Sequence, residues 1–141
     1  MPTISNVNLK IQHGGSGNSR AVTVTYTVCF SACEALAGST FTENVLLRGS
    51  DPIWDDNLVT ISNKCIKAQD GCINRTITAN VSRNTLDEDP DTIITLFGWE
   101  VAKIADQDEI YAQITLTPYS SSGASANSNI VTGQFGAAGN D

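Results

Sequence analysis

The side chains able to do chemistry fall into three groups: two runs of acids, one tryptophan beside carboxylates, and four cysteines. Asp87, Glu88, Asp89 and Asp91 crowd the first run; Asp106 and Asp108, followed by Glu109, form the second. Calcium takes roughly six to eight oxygen ligands, which carboxylates on loops at one end of a sandwich can supply. These residues are therefore the candidate calcium set, and the expectation is either no cofactor or calcium. The plainer explanation is a pair of solvated loops with a turn at Asp89-Pro90, since no spacing here matches an EF-hand.

Trp54 stands between Ile53 and the pair Asp55, Asp56. An indole can stack on a sugar ring while neighbouring acids accept its hydroxyl protons, which makes Trp54, Asp55 and Asp56 candidate ligand-binding residues. Against this, a sandwich tryptophan commonly plugs the interior, and one aromatic specifies little. The interior is the expected place for its ring.

Cys29, Cys33, Cys65 and Cys72 allow three disulfide connectivities. Cys65 and Cys72 bracket an Asp70-Gly71 turn signal, so a bridge across that hairpin mouth is the preferred pairing and leaves Cys29 with Cys33. Zinc fits poorly, because the Cys65/Cys72 spacing is too wide and a second histidine is lacking. With His13 as the single histidine, neither a thiol nor a serine nucleophile has a base visible in the sequence. No enzymatic activity is expected.

Length and charge bound the rest. The chain has 141 residues, enough for one domain with its own core, which is expected over residues 1–135 with a flexible tail at 136–141. A formal net charge of −7 disfavours nucleic acid and anionic membranes, which bind through Lys and Arg. No apolar run approaches the roughly 18 residues of a membrane span, so no membrane insertion is expected. Met1–Ile4 leads straight into a strand pattern without the features of a secretory leader. The cysteines point the other way, to an extracellular or cell-surface location.

The elements that must position these groups are strands. Residues 4–12, 20–30, 73–83 and 110–117 alternate apolar with polar side chains at the two-residue period of a half-buried strand, and 41–48 and 58–62 are also expected to be strands. In 20–30, Val22, Val24, Tyr26, Val28 and Phe30 face inward, with Thr23, Thr25, Thr27 and Cys29 outward. Phe41, Glu43, Val45 and Leu47 share a face, and Arg75 is an inward or edge charge of the kind that protects an edge strand. Ser31 and Gly38 bracket a single helical turn, and Gly49–Asn57 is a loop. Asp91–Ile104 is apolar on both faces and is expected to be one strand covered on both sides, with a bulge at Gly98.

Asp108–Phe135 combines a strand with Tyr111 on its outward phase, a Ser/Gly/Asn loop, and Ser128-Asn129-Ile130-Val131-Thr132. This hairpin resembles the closing strands of fibronectin type III and related immunoglobulin-like domains. The resemblance implies an all-β, immunoglobulin-like antiparallel β-sandwich of about seven to eight strands. The expected function is a non-catalytic module for structure, assembly or surface adhesion, contacting protein partners or copies of itself. The alternative is a calcium- or carbohydrate-binding module.

Overall fold

The computed structural model describes residues 1–15, 17–87, 92–96, 99–104, 107–118 and 123–136. The strands are β1 Thr3–Ile11, β2 Ser19–Phe30, β3 Thr40–Gly49, β4 Asp56–Lys67, β5 Gly71–Ser82, β6 Thr92–Leu96, β7 Trp99–Ile104, β8 Asp108–Pro118, β9 Ala124–Asn127 and β10 Val131–Gly133. Two short helices, α1 Ala32–Ala37 and α2 Arg83–Leu86, interrupt them. One sheet runs β1-β2-β5; the other runs β10-β8-β3-β4, with β9 also pairing on β8. All the pairings are antiparallel, and the two sheets form an all-β sandwich.

The alternation read from the sequence is the burial observed. From β2, Val22, Val24, Tyr26, Val28 and Phe30 are buried, and from β3 so are Phe41, Glu43, Val45 and Leu47. β8 adds Ile110, Ala112, Ile114 and Leu116, closing a continuous core between the sheets. Each fully buried aliphatic side chain of this kind stabilises the fold by about 1.5–3 kcal/mol before the entropy of ordering is subtracted. Phe135 finishes the core by folding over Gly133, where an added Cβ would come within 2.6 Å of its ring.

α1 forms where the local signals place it. Ser31 and Glu34 make a reciprocal capping box, and Gly38 ends the helix with φ 65°. α2 is capped by Ser82, whose hydroxyl accepts from the Thr85 N–H; the alternation of β5 masked this turn in the sequence. The Ser/Gly/Asn stretch expected to be a loop contains β9. Within the stretch expected to be one long strand, Thr92–Leu96 and Trp99–Ile104 pair antiparallel, with Leu96 opposite Trp99, and Gly98, where a bulge was expected, lies outside the described residues.

The disulfide pairing differs from the expectation. Cys29 is bridged to Cys72, while Cys33 and Cys65 are exposed free thiols. The reason is topological. Cys65 lies on β4, opposite Thr42 in the second sheet, whereas the chain has changed sheets by the time it reaches Cys72 on β5. Cys72 faces Cys29 directly in the β2–β5 register, with their Cα atoms 4.0 Å apart, close to the separation of unbonded antiparallel pairs.

Both edges of the first sheet are guarded. β1 carries a bulge between Ser5 and Asn8, where Asn6 adopts φ 53°. At Leu9 the Asn129 side chain takes the place of a neighbouring strand: its Oδ1 accepts from the Leu9 N–H at 2.7 Å and its Nδ2 donates to the Leu9 carbonyl at 3.2 Å. On β5, Arg75 turns a charge inward, as expected for a protected edge.

Candidate functional site

β3 is the central strand of the second sheet, and it delivers one charged residue to each of two tyrosine–carboxylate–arginine groups. The first lies between the sheets. Glu43, 0% exposed, accepts from Arg75 Nε at 2.8 Å and Nη2 at 3.0 Å, from the Ser62 hydroxyl at 3.4 Å, and from the Tyr26 hydroxyl. Tyr26 and Arg75 are direct register partners on β2 and β5, so this cluster ties the first sheet to β3 of the second.

Burial pushes the Glu43 carboxyl up, but the hydrogen bonds from Arg75, Tyr26 and Ser62 and the guanidinium charge outweigh it, leaving the group below its usual range. Burial, then the bond to Glu43, pushes the Tyr26 hydroxyl up. With every lone pair committed inward, this cluster is an inter-sheet fastening.

The second group is at the surface. The loop of residues 50–55 joins β3 to β4, and three bonds hold it. Asp55 Oδ2 accepts from the Tyr111 hydroxyl at 2.6 Å, its Oδ1 from the Asp51 N–H at 3.2 Å, and its carbonyl from Arg48 Nη2 at 3.1 Å. The Arg48 guanidinium carbon lies 5.9 Å from the centre of the Tyr111 ring, within cation–π range. The register explains the meeting, because Arg48 on β3 sits opposite Tyr111 on β8. The Tyr111 and Asp51 hydrogen bonds lower the Asp55 pKa, whereas burial and the bond to Asp55 raise that of Tyr111.

The braced loop holds Ile53 and Trp54 out, each 76% exposed. The expected interior position of the tryptophan is thereby corrected. Its loop is tethered to the outward face of β8, and the core is already filled by β2, β3 and β8. Asp56 is exposed and begins β4 opposite Gly49. Beside the loop, Ser50, Asp55, Tyr111, Asn127, Ser128 and Ile130 line an open depression of about 240 Å³.

The acidic set is not assembled by what the structure describes. Glu88, Asp89, Asp91 and Asp106 lie outside the described residues. Asp108 is fully buried and accepts from the Phe135 N–H at 2.9 Å, fastening the segment after β10 to β8. Asp87 follows α2 and lies against Gly136. Among the described residues, no three His, Cys, Asp or Glu side chains gather as a metal site.

No family model matches the chain, and no curated protein matches it. The site therefore rests on its geometry. Sequence reasoning found Trp54 and Asp55 but missed Arg48, Tyr111 and Asn127. The only local signal for Tyr111 was an aromatic on the outward phase of its strand; its partner is 56 positions away.

Proposed function

We infer that this chain is a non-catalytic β-sandwich module that works by contact, as a structural, assembly or surface-adhesion subunit. The loop end between β3 and β4 is its contact surface, and its partner is a protein or a second copy. The observation that carries this reading is the exposure of Ile53 and Trp54 on a loop braced from behind by Arg48, Asp55 and Tyr111. Scattered exposed aliphatic residues are ordinary, but a held-out tryptophan is the residue type most enriched at the energetic centres of interfaces. Bracing lowers the entropy lost on binding.

Two further features support it. The strand-and-loop form of Asp108–Phe135 resembles immunoglobulin-like domains, which commonly present end loops to partners. A cystine across β2 and β5 fits an oxidising, extracellular setting. The guarded edges of β1 and β5 direct contact away from strand addition to the first sheet.

Light scattering across a concentration series tests the reading in its self-assembling form. Mass should rise with concentration and fall back toward the monomer in the Ile53→Ser/Trp54→Ser protein. A wild-type chain that stays monomeric at high concentration would remove self-assembly.

A further inference from the structure

We propose that the depression beside the β3–β4 loop is a saccharide site, taking a neutral sugar ring on a glycan carried by the protein partner. The proposal rests on the reading of this loop end as the contact surface and adds a ligand class to it. Its basis is the combination of chemistries brought together from three separate stretches of chain.

A sugar ring has C–H faces that are weakly apolar and an equator of hydroxyls, each both donor and acceptor. Trp54, the chain neighbour of Asp55, offers an exposed indole for the faces. Ser50, Ser128 and Asn127 around the depression offer two hydroxyls and an amide, which can donate and accept. Asp55 offers acceptor capacity, because its two oxygens each take one bond from the protein and keep further lone pairs.

Other ligand classes fit less well. A cation would meet a single carboxylate here, with no third acidic, His or Cys ligand gathered among the described residues. An anion would meet that same carboxylate, while the guanidinium of Arg48 is engaged by the Asp55 carbonyl and the Tyr111 ring. An apolar side chain would meet Ile130 and the Tyr111 ring among hydroxyls, an amide and a carboxylate that it could not pair, so it suits the Ile53 and Trp54 tip of the loop better than the depression itself.

The geometry is also preorganised. Tyr111 is buried and fixed to β8, and it orients the Asp55 carboxylate at 2.6 Å, so the acceptor is aimed before any ligand arrives. Asn127 ends β9, whose pairing to Gln113 on β8 fixes it beside the same tyrosine strand. The site is thus built on two strands and one braced loop.

The test titrates the full oxidised chain with three neutral probes, cellohexaose, mannohexaose and chitohexaose, following tryptophan fluorescence and saturation-transfer NMR. At least one probe should give saturable binding. Trp54→Ala should weaken it by about tenfold or more, in line with the loss of an interface anchor. Asn127→Ala should weaken it by a smaller factor, and both variants should melt at the wild-type temperature.

Absence of saturable binding to all three probes, or binding that survives Trp54→Ala, would overturn the proposal. Light scattering on the same samples separates it from the reading beneath it. Trp54-dependent self-association without sugar binding removes the saccharide and keeps the contact surface; the loss of both removes both.

Discussion

The trio Tyr26–Glu43–Arg75 and the trio Tyr111–Asp55–Arg48 use the same three kinds of side chain around carboxylates at opposite extremes of burial. In the first, the carboxylate is sealed between the sheets, and all its partners are needed to offset the loss of water. In the second, the carboxylate is exposed, so solvent stabilises it with or without the tyrosine. The same side-chain types therefore act as a fastening in one place, where the arginine pairs with the carboxylate, and as a brace in the other, where it holds the main-chain carbonyl. The interior trio bears on the stability of the fold, and the surface trio on where one loop points.

The sharpest way to break this comparison is to remove each arginine. Arg75→Met should leave Glu43 buried and uncompensated, costing about 3 kcal/mol in urea unfolding, with much of that recovered in the Glu43→Met/Arg75→Met double variant. A single variant as stable as wild type would show that the buried charge finds water. Arg48→Met should cost far less, because its partner is a solvent-accessible loop.

The cystine sharpens the contrast next, since it joins β2 and β5, the strands that carry Tyr26 and Arg75. The paired Cys29→Ser/Cys72→Ser change should cost about 2–4 kcal/mol and weaken the interior trio while leaving Trp54 fluorescence unchanged. Thiol titration of the unfolded, unreduced protein should find only Cys33 and Cys65 reactive, and full reduction should add Cys29 and Cys72.

Acid should act on the interior. The Glu43 pKa is lowered in the folded chain, so its contribution is present above the ordinary glutamate range and is lost as pH falls through the lower folded value. Thermal melts should show this acid-side loss, and the double methionine variant should lack it. Tyr26 works at the other end: its raised pKa gives a contribution present below the ordinary tyrosine value and lost as pH rises through the folded one.

The smallest effect is expected at Tyr111→Phe. Melting should move by no more than about 2 °C, whereas the anisotropy of Trp54 fluorescence should fall as the loop loses its brace. A large loss of stability there would make the surface trio a fastening as well, and the distinction would collapse.

Several of these parts were legible along the chain. Glu43 fell on an inward phase with Phe41, Val45 and Leu47, and Arg75 stood out as an inward charge on an edge strand. That they belong together was not legible, because 32 positions separate them and they approach from opposite sheets. Cys29 and Cys72 were hidden in the same way. Proximity around the Asp70-Gly71 turn suggested a local bridge, and only the change of sheet between β4 and β5 sets Cys72 against Cys29. Trp54 was correctly placed on a loop, but whether its ring turned inward depended on Tyr111, which reaches that loop from β8.

By itself, then, the sequence determined the phase of each main sandwich strand and the ends of α1, because both follow from interactions a few residues long. Alternation states which face of a strand is buried, and Ser31, Glu34 and Gly38 cap α1 whatever surrounds it. Only the tertiary structure decided which strand lies opposite which, and with it the cystine, the buried trio and the exposed tryptophan. A two-residue period carries no record of the partner strand, and that pairing is fixed by packing between segments far apart in the chain.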